Sequence, residues 1–181
     1  MDRDLGPDVR YTKMMSEEQY KAKARRIKLL LTDVDGVLTD NGVYYGEGGE
    51  VMKRFSIRDG MGVERLKKLH GIETGIITGE VSPSVSRRAE KLQITQVHLG
   101  VKDKRDRLAG IIAKAGITWE EIAYIGDDVN DLEVLERVGL SACPADAMAA
   151  VWRVVDYQCE VRGGYGAFRE FAEWIINLLK Q

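Results

Sequence analysis

Several things are scarce in this 181-residue chain, and each scarcity closes off a class of protein. The two cysteines, Cys143 and Cys159, show no CxxC spacing and have no histidine cluster beside them. That excludes a disulfide framework and a thiolate metal site, and leaves reduced thiols in or near the core of a cytoplasmic protein. No apolar run approaches the ~18 residues of a membrane span. The N-terminus lacks the order of a signal peptide. Charge of one sign is also missing: a net charge of −2 provides no field for nucleic acid or an anionic membrane surface. There is no internal repeat and no low-complexity segment. What is present, 44% hydrophobic and 31% charged residues, is the make-up of a globular chain whose length suits one core.

The most informative stretch is IKLLLTDVDGVLTD, residues 27–40. Ile27, Leu29, Leu30 and Leu31 form a short apolar run, the pattern of a strand buried on both faces of a parallel sheet. The run stops at Asp33 and Asp35, beyond the carboxyl end of the strand, where such sheets place their chemistry. Residues i and i+2 of an extended chain point the same way, so the spacing predicts two carboxylates in one small site. Their repulsion calls for a cation.

The rest of the chain alternates. Residues 1–26 read as an N-terminal extension carrying one short basic helix, opened by a capping box at Ser16-Glu17-Glu18-Gln19; residues 27–181 form the folded domain. Val43-Tyr44-Tyr45 and Val51–Phe55 flank Gly46-Glu47-Gly48-Gly49 and read as a projecting β-hairpin. Helices are expected near 62–69, 82–92, 104–115, 130–138, 145–151 and 168–179. Strands are expected at 74–78, 96–99, 122–125 and 140–143, with an extended piece at 155–159. Strands separated by helices give βαβ units, hence an α/β fold with a doubly wound, Rossmann-like parallel sheet.

Four chemically pointed sites follow successive strands: Asp33 and Asp35, Thr78-Gly79, Lys104, and Gly126-Asp127-Asp128 with Asp131. Each alone has an ordinary explanation. Asp favours turns after strands, GDD can cap a helix, and a lysine can be a solvated charge. Together at one sheet edge they suit phosphoryl transfer: a nucleophilic carboxylate, a hydroxyl and amide, and a cation on the phosphoryl oxygens. An all-oxygen ligand set suits Mg²⁺.

In their order and over residues 27–175, these motifs resemble the haloacid dehalogenase superfamily of phosphohydrolases. The resemblance implies that Asp33 is the nucleophile forming an aspartyl-phosphate. Asp35 would be the general acid and base, and would also bind Mg²⁺ through its carbonyl. Thr78 would hold the phosphoryl group, and Lys104 would bridge it to Asp33. Asp127 would complete the metal site with Asp33 and Asp35, and Asp128 and Asp131 would support it.

Superfamily members usually carry an inserted cap domain, and here the spacing leaves room only for the hairpin. The chain resembles the capless branch of 3-deoxy-D-manno-octulosonate 8-phosphate phosphatases and the similar nonulosonate 9-phosphate phosphatases. The resemblance rests on DVDGVLTD, FSIRDGMG, ITG, Asp103-Lys104, AYIGDDVND, VGLSACPADA and RGGYGAFRE. It implies a homotetramer with the 43–55 hairpin at the interface; the hairpin's apolar residues could equally cover the chain's own core. The implied substrate is a phosphorylated 2-keto-3-deoxy sugar acid, handled by Gly79, Glu80, Arg58, Arg88, Lys91, Arg162, Gly163 and Gly164. Glu80, where octulosonate enzymes usually have arginine, with Arg88 and Lys91 resembles the nonulosonate set. Arg88 and Lys91 are otherwise solvated helix charges, and 162–164 a link into the last helix. A different reading makes the chain an assembly or regulatory module of a sugar-acid activation pathway. Against it, the acid and lysine set is complete.

Overall fold

The computed structural model describes residues 15–180. Eight strands and seven α-helices follow one another as α1 (Glu17–Ala24), β1 (Leu29–Thr32), β2 (Thr39–Gly46), β3 (Gly49–Phe55), α2 (Ile57–His70), β4 (Glu73–Ile77), α3 (Pro83–Lys91), β5 (Gln96–His98), α4 (Lys104–Ala115), β6 (Ile122–Ile125), α5 (Leu132–Leu135), β7 (Leu140–Cys143), α6 (Ala149–Trp152), β8 (Tyr157–Gln158) and α7 (Ala167–Leu178). Six strands form a parallel sheet in the order β5-β4-β1-β6-β7-β8, and β2 and β3 pair antiparallel as a separate hairpin. The doubly wound sheet and the hairpin agree with the sequence reading.

Alternation along the central strands sends side chains to two cores. Leu30 of β1 and Ala123 and Ile125 of β6 face one layer, with Val85 of α3 and Phe168, Phe171 and Ile175 of α7. Leu29, Leu31, Ile122 and Tyr124 face the other, with Leu108 and Ile111 of α4 and Leu135 of α5. Burying such a side chain contributes roughly 1.5–3 kcal/mol. β1 pairs with β4 on one side and β6 on the other, so successive crossovers run in opposite directions from it. The crevice beyond the carboxyl ends of β1 and β6 is therefore the topological switch point, where open α/β sheets bind ligands.

Several boundaries differ from the periodicity. α2 starts at Ile57 rather than near 62, because Ser56 caps it and accepts from Arg58 N–H. The helix expected over 130–138 is broken into a 3-10 turn, Val129–Asp131, and the short α5, because Asp128 and Asp131 satisfy each other's backbone groups. The expected helix over 145–151 shrinks to α6, and the extended 155–159 piece to β8. α7 has no side-chain cap of its own, and Asp59 of α2 accepts from Arg169 N–H across the interface. The expected capping box at Ser16 is present, and Tyr20 of α1 packs edge-on against Trp174 of α7, so α1 lies on the core. Of the N-terminal extension, residues 1–14 lie outside the described residues. Cys143 and Cys159 are buried and free. Among the described residues, no helix is long and apolar enough to cross a membrane.

Candidate active site

β1 ends at Thr32, and the chain turns at once: Val37, Leu38 and Thr39 all donate backbone N–H groups to the Val34 carbonyl. Asp33 leaves the sheet edge buried, with Oδ1 accepting from Val34 N–H at 2.7 Å and Oδ2 facing Lys104 Nζ at 2.7 Å. Lys104 opens α4 behind its cap, Asp103, whose side chain accepts from Asp106 N–H. Its ammonium sits between Asp33 and Asp131 Oδ1, the latter also at 2.7 Å. Tyr124 of β6 donates its phenol to the same Asp131 oxygen at 2.6 Å. Asp131 Oδ2 accepts from Asp127 N–H at 3.2 Å, which fixes the loop after β6.

The result is a carboxylate cluster. Asp33, Asp127 and Asp131 each place an oxygen so that the three lie within 4.8 Å of one another. Burial, and then the charge of Asp131, push Asp33 up to about 7 against the pull of Lys104, and push Asp127 to about 7 as well. Burial would lower the Lys104 ammonium, but Asp33 and Asp131 outweigh it and raise it above its ordinary value. One lysine faces three buried acids. A divalent cation bound by oxygen atoms fits this deficit of positive charge, and Asp131, already fully engaged, orients the others.

Gly36 makes the approach possible. Its φ is +84°, and a Cβ there would lie 1.9 Å from Asp127 Oδ2. Asn41, itself at φ 61°, donates Nδ2 to that oxygen at 3.3 Å. A non-glycine residue held in the left-handed region beside a carboxylate of the cluster fits the clustering of backbone strain at functional sites. Thr78, buried at the end of β4, has its N–H bonded to the His98 carbonyl, and its hydroxyl accepts from Glu80 N–H. Asp33, Asp35, Asn41, Thr78, Gly79, Glu80, Asp127 and Asp128 all line one open cleft of about 330 Å³.

Asp33 and Asp35 both line this cleft, as the i, i+2 spacing predicts, but their carboxylates bind different partners. The chain is no longer extended after Thr32, and Asp35 turns to Lys53 Nζ, 2.7 Å from each of its oxygens, and to Thr39 Oγ1 at 3.3 Å. Arg88 and Lys91 do not reach this cleft in their own chain. Arg88 donates to the Ser56 carbonyl at 2.7 Å and lies over the Phe55 ring, while Lys91 lines a different cleft with Lys67 and Glu73. Gly163 and Gly164 pack beneath the turn that follows β1 in their own chain. Gly164 N–H bonds the Val37 carbonyl at 2.9 Å, and a Cβ on Gly163 would meet the Gly36 carbonyl at 1.9 Å. Arg162 is exposed beside Asp146, and Arg58 is exposed with its side chain near Gly166. Asp128 is exposed and caps the 3-10 turn, accepting from Val129 N–H.

Asn41 and Lys53 were not singled out from sequence. For Asn41 the available signal was an Asp-Asn-Gly turn directly after the motif. For Lys53 it was a lysine two residues from Phe55, on the same face of a strand.

An acidic cluster at the switch point of a doubly wound sheet, with a buried lysine and a threonine at neighbouring strand ends, defines a phosphoryl-handling hydrolase. The haloacid dehalogenase-like hydrolase family model matches residues 43–139, and the chain belongs to that family. It is a phosphatase: curated relatives include the 3-deoxy-D-manno-octulosonate 8-phosphate phosphatase KdsC of Escherichia coli K12, 41% identical over 155 residues, covering 86% of this chain and 82% of that one. The enzyme of the same name from Haemophilus influenzae is 40% identical, with 86% of each chain covered. Among solved structures, the Moraxella catarrhalis phosphatase in complex with magnesium, phosphate and a KDO molecule superposes with a TM-score of 0.85 at 38% identity, covering 91% of this chain and 93% of that one.

Proposed function

We propose that the chain hydrolyses the phosphomonoester of a 2-keto-3-deoxy sugar acid, 3-deoxy-D-manno-octulosonate 8-phosphate or a nonulosonate 9-phosphate, with Asp33 as nucleophile. The observation that carries this is the placement of Asp33: buried, ion-paired to Lys104, and opening on a cleft also lined by Thr78, Asp35 and Asp127. Mg²⁺, held by the carboxylates of Asp33 and Asp127 and the carbonyl of Asp35, would draw charge off the phosphoryl oxygens and keep both acids ionised. An Asp33 oxygen attacks phosphorus as the ester P–O bond breaks, and Asp35 gives its proton to the departing alkoxide. Asp35 then takes a proton from the water that attacks the aspartyl-phosphate, releasing phosphate and regenerating Asp33. Thr78 Oγ1 and the Gly79 backbone hold the transferring group, and Lys104 offsets its charge.

The names of the relatives support the octulosonate ester, whereas Glu80 at the cleft mouth favours the nonulosonate. Arg58, Arg88, Lys91 and Arg162 act on substrate only across a subunit boundary. This accords with a homotetramer assembled through the hairpin, whose Tyr44 and Tyr45 are 58% and 74% exposed. A cleft this open needs such a neighbour to exclude water and recognise the leaving group.

Asp33→Asn is expected to lower turnover by roughly 10⁴-fold or more with the fold intact. Mg²⁺-dependent hydrolysis persisting in that variant would refute the nucleophile. Measuring kcat/KM for the two sugar acid phosphates side by side decides the substrate.

A further inference from the structure

β3 runs along the hairpin with Val51, Met52 and Arg54 exposed, yet Lys53 between them is buried. Its ammonium lies 2.7 Å from each Asp35 oxygen and 3.8 Å from Glu50 Oε2. Glu50 in turn accepts a short hydrogen bond from Ser82, the buried cap of α3. A buried ammonium costs several kcal/mol unless it is paired, so a lysine in this place has to be held by its acids, and it holds them in return. Thr39 Oγ1, 3.3 Å from Asp35 Oδ1, fixes the same carboxylate from the other side. Asp35 therefore keeps the position it has only while the hairpin is seated on the domain.

We propose that Lys53 is a positioning residue for the hydrolysis: through its two contacts it aims the Asp35 carboxylate, and it makes the seating of the hairpin a condition for proton transfer to the leaving group. This rests on the assignment of Asp35 as the proton donor. Lys53 does not line the cleft, so its effect depends on how much the leaving group needs a proton.

The test is Lys53→Met, assayed as kcat/KM with a sugar acid phosphate, whose alkoxide must be protonated, and with 4-nitrophenyl phosphate, whose leaving group departs as a stable anion. The expected result is a loss on the order of 100-fold for the sugar phosphate and about threefold or less for the aryl ester. Equal losses on both, or none on either, would overturn the proposal. Should the single variant not fold, Asp35→Asn is compared with Asp35→Asn/Lys53→Met, which removes both charges of the pair together. No further loss on the sugar phosphate is expected in the double variant. An added loss there means that Lys53 acts other than through Asp35. Failure of the phosphatase reading itself shows in Asp33→Asn, which leaves the Lys53–Asp35 pair untouched.

Discussion

Three buried acids around one lysine make the metal-free chain lose stability as pH rises through a defined window, and Mg²⁺ should remove that sensitivity. In the unfolded chain Asp33 and Asp127 ionise near their ordinary value of 3.8, whereas in the folded chain they hold protons until about 7. Between those values the folded state binds more protons than the unfolded state, so stability falls as pH rises. A raise of roughly three units in one carboxylate corresponds to about 4 kcal/mol. Both acids feel the same Asp131, so the pair contributes less than twice that. At ~2–4 °C per kcal/mol for a chain of this size, the metal-free Tm should drop on the order of 10 °C between pH 5 and pH 8. Asp59, raised to about 6 by burial, titrates in the same direction but lies outside the acidic cluster. Comparing chelated and Mg²⁺-saturated protein cancels its share. The assay is scanning calorimetry at pH 5 and pH 8, with EDTA or with saturating Mg²⁺. The metal should raise Tm by several degrees more at pH 8 than at pH 5, where it must displace protons to bind. Equal stabilisation at both pH values, or none at either, would refute the account of the cluster as a site short of positive charge.

Two other perturbations probe the scaffold. Gly36→Ala places a Cβ 1.9 Å from Asp127 Oδ2 at a backbone angle that alanine resists, and should weaken Mg²⁺ binding at least tenfold by titration calorimetry, with a smaller loss of stability. Replacing Tyr44 and Tyr45, both exposed on the hairpin, with glutamate should yield monomers by light scattering and lower activity; an unchanged mass would remove the hairpin from the interface.

The sequence is most legible where chemistry and periodicity coincide. LLLT followed at once by Asp33, and IAYI followed by Gly126-Asp127, announce buried parallel strands and what lies at their ends. Short continuous apolar runs placed the sheet strands to within a residue or two, because burial on both faces leaves no polar alternative. Helix starts were less legible. α2 takes its cap from Ser56, and Asp59 serves α7, a partner more than a hundred residues away.

The order of motifs by itself determined the class of chemistry and which four side chains, Asp33, Asp35, Lys104 and Asp127, stand at one sheet edge. A parallel sheet sends every strand's carboxyl end to the same side, so chain order is enough. Only the tertiary structure decided what each group faces. It gave Asp35 Lys53 as its partner, and made Asp131 the anchor for Lys104, Tyr124 and the Asp127 loop. It also packed Gly163 under the turn after β1 and left Arg88 and Lys91 outside the cleft. Those pairings join residues that are from four to more than a hundred positions apart. They depend on side-chain direction after the strand has ended, where no periodicity constrains the chain.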